Sequence, residues 1–180
     1  MTLGVGAGRV FVGLVCVVDG TSMSPTYQSG TYLYTATIST PLERGDVVLL
    51  DDGKAEYAIK RLIGLPGETV QLWRGRVFIN RQMLVEPNLP KKVYTCPAGR
   101  ECRGATFVLG EKEYFVLGDN RLSSTDSRTY GPVNRRQIKR RVPLPENSVW
   151  GYFVAYTLPS CGNTLAQPVG PNMTGPQASL

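Results

Sequence analysis

Glycine and proline interrupt this chain so often that they leave little room for long helices. Among 180 residues there are 20 glycines and 13 prolines, and they separate short apolar runs such as 10–18 and 47–51. No stretch sustains a helical period, and no internal repeat is present. Short apolar or alternating runs bounded by turn residues are typical of β-strands. We therefore expect a mainly β fold of strongly curved antiparallel sheets.

The apolar runs and the turns between them predict how the chain is divided. Strands are predicted at 10–18 (buried), 31–38, 47–51, 55–65, 113–120 and 147–158. A hairpin is predicted where Arg74 and Gly75 separate two alternating runs. Residues 86–106 lack periodicity and are interpreted as an insertion with a small β or loop region, so that the β core comprises 9–85 and 107–158. Residues 159–180 have little to bury, and we expect a disordered tail.

The four cysteines bear on the compartment and on metal binding. The chain has no histidine and no pair of cysteines spaced as CxxC, which argues against a zinc site. Cys96 and Cys102 bracket a short loop, and two interpretations stay open: a local disulfide in an oxidising compartment, or two free surface thiols. Cys16 is predicted to be a small core residue. The pattern assigns no role to Cys161.

The charge and the hydropathy leave several classes of partner open. The formal net charge is +6, with a dense basic run at 134–141. Such a run is compatible with an anionic membrane surface, with nucleic acid, or with a solvated face that binds nothing. The apolar run 10–18 is too short to span a bilayer, which needs about 20 residues. Because no signal peptide is evident either, the chain taken alone has the pattern of a soluble protein.

One short polar segment raises a chemical question. Residues 17–26 read VVDGTSMSPT, which places the hydroxyls of Thr21, Ser22 and Ser24 beside a turn. A serine hydroxyl is a weak nucleophile until a base takes its proton, and this chain has no histidine to do so. A lysine can replace it if burial lowers its pKa from about 10.4 to roughly 7–8. A lysine on an apolar segment is therefore the candidate base.

Only Lys60 lies within an apolar run, in AIKRLIG, since the other lysines are in polar or turn segments. Strand alternation would place Lys60 and Arg61 on opposite faces, so that one points into a cleft and the other faces water or an acid. A lysine on a strand is also commonly a surface residue. The polar stretch 118–128, GDNRLSSTDSR, could brace a rigid turn through Asp–Arg pairs and orient the lysine amine with a hydroxyl. It could equally be a plain surface loop.

Four segments together resemble the type I signal peptidases, which are serine proteases with a Ser/Lys dyad. The matching segments are SMSPT at 22–26, RGDVV at 44–48, KRLIGLPGE at 60–68 and GDNRLSSTDSR at 118–128. They occur in the family's order, and the resemblance covers about residues 9–156. It implies the curved β catalytic core of that family.

The resemblance implies a role for individual residues. Ser22 matches the nucleophile, Lys60 the general base and Ser124 the hydroxyl that orients the lysine amine, whereas Ser24 is a bystander. The residues that would brace the site are Asp119, Arg121, Asp126 and Arg128. The residues that would line the substrate pocket are Val18, Met23, Tyr27 and Ile59. The oxyanion hole would use the backbone N–H of Ser22. Gly20 stands where many Gram-negative members carry a serine, so a side-chain donor is missing there.

The resemblance also implies the reaction and the setting. The expected activity is removal of signal peptides from secreted preproteins after A-x-A-like sites, without a metal or another cofactor. We expect a monomer that contacts lipid at the outer face of the cytoplasmic membrane and binds no nucleic acid. The family's transmembrane anchor is apparently missing before residue 9. Two alternatives stay open: a related Ser/Lys peptidase of conjugative pilin processing, and a non-catalytic β-domain that binds other molecules.

Overall fold

The structure is a computed structural model that describes residues 14–51, 57–90, 93–97, 102 and 104–143. It contains eleven strands in these ranges, with one short α-helix and one 3-10 turn. The strands are β1 (Leu14–Val17), β2 (Tyr32–Thr35), β3 (Val47–Asp51), β4 (Tyr57–Gly64), β5 (Thr69–Trp73), β6 (Arg76–Ile79), β7 (Gln82–Met83), β8 (Ala105–Val108), β9 (Glu113–Leu117), β10 (Val133–Asn134) and β11 (Ile138–Val142). The helix α1 is Ser127–Tyr130, and the 3-10 turn is Arg135–Gln137.

The described strands form three sheets, and every pairing between them is antiparallel. The largest sheet has the order β10-β9-β4-β3-β11, a second has the order β7-β6-β5-β8, and β1 pairs with β2. Register shifts interrupt the β4–β9 and β11–β3 pairings. Such irregularities bend a strand and increase its twist. The predicted mainly β class with curved antiparallel sheets is confirmed.

Apolar side chains from different sheets form the core. Ile63 and Phe115 of the large sheet pack with Val70 and Leu72 of the β7-β6-β5-β8 sheet. This contact holds the two sheets together through burial of apolar surface, the main stabilising term in folding. A separate cluster joins Met23, in the turn after β1, to the large sheet. The turn that carries the candidate nucleophile is therefore anchored to the core.

The predicted hairpin at Arg74 and Gly75 is confirmed. Trp73 pairs with Arg76 across the turn, and both turn residues have positive φ angles, 48° and 74°. Positive φ at both central residues is typical of the two-residue turns that match the twist of the flanking strands. Glycine adopts this conformation without strain, which explains its position here.

The prediction of a buried first strand is wrong for the part of it that the structure describes. β1 pairs with β2 alone among the described strands, and Val15 and Val17 are 61% and 52% exposed. Cys16 is half-buried and packs against the core cluster around Met23, so it lies at the edge of the core. A continuous apolar run does not reveal whether one or both faces of a strand are covered. The predicted strand at 147–158 and the tail lie outside the described residues.

The described residues of the segment predicted as an insertion contain no strand before β8 begins at Ala105. Cys96 and Cys102 form a disulfide, which settles the choice left open above. The last residues of the predicted insertion belong to β8, which pairs with β5 in the second sheet. The boundaries of the proposed domains stay a prediction.

The basic run 134–141 forms the 3-10 turn and most of β11. Arg141 pairs with Asp46 at 2.9 Å, and Lys139 pairs with Asp51 at 3.3 Å. The side chain of Arg135 donates to the Ile138 carbonyl at 3.0 Å. These contacts show that several cations of the run contribute to the local fold, which favours the interpretation as a solvated face. Among the described ranges, no helix combines the length and apolar character needed to cross a membrane.

Candidate active site

The candidate nucleophile lies in a tight turn between β1 and β2. Gly20 has a φ of +93°, and the turn continues with backbone hydrogen bonds from Ser24 to Thr21 and from Tyr27 to Met23. The side chain of Met23 is fully buried, so the residue next to Ser22 anchors the turn. A hydrogen bond from Gly30 N to Val18 O closes the segment. Ser22 is thereby held at a fixed position on the rim of the sheet.

Lys60 reaches Ser22 from the centre of β4. Its Nζ lies 3.0 Å from Ser22 Oγ and donates to the Ile59 carbonyl at 3.0 Å. The residue is only 4% exposed, and no ion pair to it exists among the described residues. Burial lowers the pKa of the Lys60 amine, and the charge of Asp126 opposes this shift in part. Burial disfavours the charged form of an amine, so the neutral form of Lys60 is reached at a lower pH than that of an exposed lysine.

The adjacent Arg61 points to the opposite face of β4, as alternation predicted. Its guanidinium binds Asp119 through two hydrogen bonds, Nε to Oδ1 at 2.8 Å and Nη2 to Oδ2 at 2.6 Å. It also donates to the Gly45 carbonyl at 2.8 Å. Asp119 accepts further from Thr26 Oγ1 at 2.6 Å. This ion pair therefore links β4, the loop after β9 and the turn that carries Ser22.

Asp126 organises the other end of the loop at 118–128. Its carboxylate accepts from the side chain of Arg128 at 2.8 and 2.9 Å and from Gly118 N at 3.0 Å. It also caps the N-terminus of α1. Since its charge is already engaged by Arg128, Asp126 does not pair with Lys60. The arrangement keeps the amine free of a direct carboxylate partner.

Arg121 connects the loop to the described part of the segment between β7 and β8. Its guanidinium pairs with Glu86 and donates to Thr95 Oγ1, and its own carbonyl accepts from Arg128 Nη1 at 2.6 Å. Asn88 from the same segment donates to Asp119 at 3.1 Å. The sequence did not predict these contacts, because a single carboxylate in an aperiodic segment gives no local signal of its partner.

Ser124 is placed beside the site without the predicted contact. Its Oγ is buried and has no hydrogen-bond partner within the described residues. The amine of Lys60 is held by Ser22 Oγ and the Ile59 carbonyl instead. A Cβ at Gly118 would lie closer than 3.0 Å to Ser124 Oγ and to the Ser22 carbonyl oxygen. Gly118 is therefore needed for the close approach of the loop to the Ser22 turn.

Asn120 is a further site residue that the sequence did not single out. Its backbone N–H donates to the Ser22 carbonyl at 3.0 Å, and its side-chain amide donates to the Thr21 carbonyl at 3.1 Å. The signal that could have found it is its position, directly after a buried strand and Asp119. A polar residue at a strand end, next to a buried charged residue, is typical of a functional loop.

A cleft of about 490 Å³ opens next to the serine and the lysine. Besides Ser22 and Lys60, it is lined by Cys16, Val17, Val18, Asp19, Met23, Leu49, Tyr57, Ala58 and Ile59. Three of the four predicted pocket residues line it, but Tyr27 does not. The ring of Tyr27 is buried in the core with Met23 and Leu33, because its turn folds back onto β3. The predicted place of Tyr27 in the pocket lining is therefore wrong for this cleft.

A serine hydroxyl, a buried amine that can accept a proton and an adjacent cleft of ligand size are the features of a serine hydrolase. The amino-acid sequence places the chain within that class. Residues 1–145 match the family described as "Signal peptidase, peptidase S26". The chain belongs to this family and is a serine peptidase.

Individual relatives agree with the family assignment. The chain is 36% identical over 132 residues to signal peptidase I V of Bacillus subtilis strain 168. This alignment covers 67% of this chain and 78% of that protein. It is 37% identical over 138 residues to a signal peptidase I of Bacillus licheniformis, covering 72% and 74%. Among solved structures, a signal peptidase I from Enterococcus faecalis V583 aligns with a TM-score of 0.48 and 29% identity, covering 58% of this chain and 98% of that one.

Proposed function

We propose that this chain is a signal peptidase I in which Ser22 is the nucleophile and Lys60 is the general base. The observation that carries the proposal is the 3.0 Å separation of Lys60 Nζ from Ser22 Oγ, with the lysine buried and its pKa lowered by burial. A nucleophile and a base within hydrogen-bond distance are the expected geometry of covalent catalysis. The chain contains no histidine, and the two carboxylates of the loop at 118–128, Asp119 and Asp126, bind arginines, so Lys60 is the base that lies within hydrogen-bond distance of Ser22 Oγ.

The acylation step follows from this geometry. Ser22 Oγ attacks the scissile carbonyl carbon as the neutral amine of Lys60 takes its proton. The tetrahedral intermediate collapses when the Lys60 ammonium returns that proton to the leaving amine, and the C–N bond breaks. The product at this stage is an ester between Ser22 and the signal peptide. Deacylation repeats the sequence, with a water activated by Lys60 in place of the serine and Ser22 as the leaving group.

The oxyanion that forms in both steps needs donors. The backbone N–H of Ser22 donates to no other described residue and lies next to the nucleophilic oxygen. Donors of this kind are commonly the largest electrostatic contribution to catalysis. Gly20 supplies no side chain, and its φ of +93° would strain any residue that replaced it. The backbone of Ser22 is therefore assigned most of this role.

Supporting roles are assigned to the loop at 118–128. Asp119 and Asp126 are paired with Arg61 and Arg128, so they hold the loop rigid and form no ion pair with Lys60. Ser124 presents a buried hydroxyl without a partner in the described residues, and this supports its proposed role of orienting the Lys60 amine during the reaction. Unpaired buried hydroxyls are costly, which favours a functional reason for this one.

The substrate is proposed to be the signal peptide of a secreted preprotein, bound as an extended strand in the cleft. Val18, Met23 and Ile59 give the cleft apolar walls near Ser22, which favours apolar side chains such as alanine before the scissile bond. The chain would act on the outer face of the cytoplasmic membrane, at the lipid surface. The disulfide between Cys96 and Cys102 supports an oxidising compartment. The relatives above are named signal peptidase I, which favours this activity over pilin processing or binding without catalysis.

The test is cleavage of a preprotein whose signal peptide ends in A-x-A, in lipid or detergent. Wild type is compared with Ser22→Ala, Lys60→Ala and Ser24→Ala, where Ser24 is the matched control in the same turn. We expect cleavage by wild type and Ser24→Ala only. Activity of Ser22→Ala or Lys60→Ala equal to that of wild type would contradict the assignment.

A further inference from the structure

The peptide group between Thr21 and Ser22 is held by two hydrogen bonds to its carbonyl oxygen. The peptide between Thr21 and Ser22 carries the Thr21 carbonyl at one end and the Ser22 N–H, the assigned oxyanion donor, at the other. The Thr21 carbonyl accepts from Ser24 N at 3.1 Å and from Asn120 Nδ2 at 3.1 Å. The donor that faces the reaction and the acceptor held by Asn120 therefore belong to the same planar unit.

Two physical effects follow from that connection. First, the planarity of the peptide means that holding the carbonyl also fixes the direction of the N–H. Second, a hydrogen bond to the carbonyl of an amide polarises the group and strengthens its N–H as a donor. Both effects act on the oxyanion, whereas neither touches the Ser22 side chain or the Lys60 amine.

The backbone and the side chain of Asn120 hold two different peptide groups, so the role of the side chain can be tested separately from that of the backbone. Its N–H donates to the Ser22 carbonyl at 3.0 Å, which belongs to the next peptide group. That hydrogen bond is kept when only the side chain is changed. The side-chain amide donates one hydrogen bond, to the Thr21 carbonyl, and no other described group accepts from it. With Gly20 unable to offer a side-chain donor, the strength of the Ser22 N–H matters more than in a site with two donors.

We infer that Asn120 is a positioning residue whose side-chain amide aligns and polarises the Thr21–Ser22 peptide, so that the Ser22 N–H stabilises the oxyanion. The inference rests on the proposed function, because it requires Ser22 to be the nucleophile. It assigns Asn120 to the transition state rather than to substrate binding. An interaction made only in the transition state changes kcat and leaves KM unchanged.

The test uses the full chain with Asn120→Ala, Asn120→Asp and the control Ser123→Ala. Ser123 lies in the same loop, and its Oγ is 3.5 Å from Thr21 Oγ1, so this control removes a neighbouring contact with Thr21 that does not involve the peptide. Removing one neutral hydrogen bond is expected to lower kcat about tenfold for Asn120→Ala. Asn120→Asp keeps the shape but turns a carboxylate toward the carbonyl, so its kcat is expected to fall further. Ser123→Ala is expected to stay within about twofold of wild type.

Affinity for a substrate-derived peptide aldehyde separates positioning from a structural defect. The aldehyde forms a tetrahedral adduct with Ser22 whose oxygen occupies the oxyanion hole. We expect its inhibition constant to rise by the same factor as kcat falls, while KM and the midpoint of the pH profile stay unchanged. If Asn120→Ala does not fold, the isosteric Asn120→Asp carries the same comparison.

Two results would overturn the inference. Either kcat is unchanged in both Asn120 variants, or kcat falls while aldehyde affinity stays at the wild-type value. Ser22→Ala is assayed in parallel to separate this failure from that of the proposed function. If Ser22→Ala is inactive, a negative result counts against the role of Asn120 alone. If Ser22→Ala cuts as wild type does, the proposed function itself fails.

Discussion

The ion pair between Arg61 and Asp119 offers a quantitative test of how the site is held together. Its side chains are 8% and 0% exposed, and two hydrogen bonds of 2.8 and 2.6 Å join them. Removal of one partner from a buried pair leaves an uncompensated charge and costs about 3–5 kcal/mol. Asp119→Ala also removes the acceptor of Thr26 Oγ1, which places this variant at the upper end of that range.

The assay is urea and thermal unfolding of Asp119→Ala and of the double variant Arg61→Met, Asp119→Leu. For a chain of this size, a loss of about 3–5 kcal/mol lowers Tm by about 6–20 °C. The double variant is expected to be more stable than Asp119→Ala, since an apolar pair removes the stranded charge. Lys139→Met is the control, because its ion pair is exposed and worth at most about 1 kcal/mol.

Two outcomes would refute this reasoning. A loss below about 1 kcal/mol for Asp119→Ala would mean that the pair is effectively solvated. A double variant that is less stable than Asp119→Ala would mean that the arginine is not stranded by loss of its partner. Because Asp119 stands between Gly118 and Asn120, we also expect Asp119→Ala to lower cleavage activity more than Lys139→Met does.

Three further predictions concern single residues. Gly118→Ala would place a Cβ in contact with Ser124 and is expected to lower kcat in the cleavage assay by at least about 100-fold. Gly110→Ala is the control and should keep wild-type activity, because its Cβ would meet only a flexible glutamate at 3.4 Å. Burial lowers the pKa of Lys60 in the folded chain below its usual 10.5, so the unfolded chain binds more protons at pH values between the two. The stability of wild type relative to Lys60→Met, measured by urea unfolding, should therefore rise with pH across that window. A stability difference that does not change with pH would show that the amine is solvated. Tyr27→Phe removes a buried hydroxyl that has no hydrogen-bond partner in the described residues. We expect the free energy of unfolding in urea to rise by about 1 kcal/mol and the cleavage activity to stay unchanged. A loss of stability would show that the hydroxyl forms a hydrogen bond in the folded protein.

The parts of the site that could be predicted from sequence are those governed by local rules. Strand alternation alone separates Lys60 from Arg61, because consecutive side chains on a strand point to opposite faces. The hairpin at Arg74 and Gly75 likewise depends on two residues and their φ preferences. The absence of histidine reduces the candidate bases to a few, and apolar neighbours then select Lys60.

The parts that could not be predicted depend on distant packing. The pairing of Arg121 with Glu86 joins two segments through the tertiary fold, and an aperiodic segment carries no pattern that names its partner. Tyr27 was assigned to the cleft by position along the chain, but its turn folds onto β3 and buries the ring. The exposure of Val15 follows from the number of strands beside β1, which an apolar run does not encode. Asn120 acts through a peptide group, so its side-chain chemistry alone gave no signal.

Catalysis by this site requires the Lys60 amine to be neutral when Ser22 reacts, and a direct titration of this amine tests that requirement best. The chain has six lysines, and carbon NMR of lysines labelled at Cε follows each amine as pH rises. Lys60→Met identifies the Lys60 signal as the one that disappears. We expect this signal to titrate below the usual value of 10.5 and separately from the other lysines. A Lys60 signal that titrates together with the solvent-exposed lysines would contradict it.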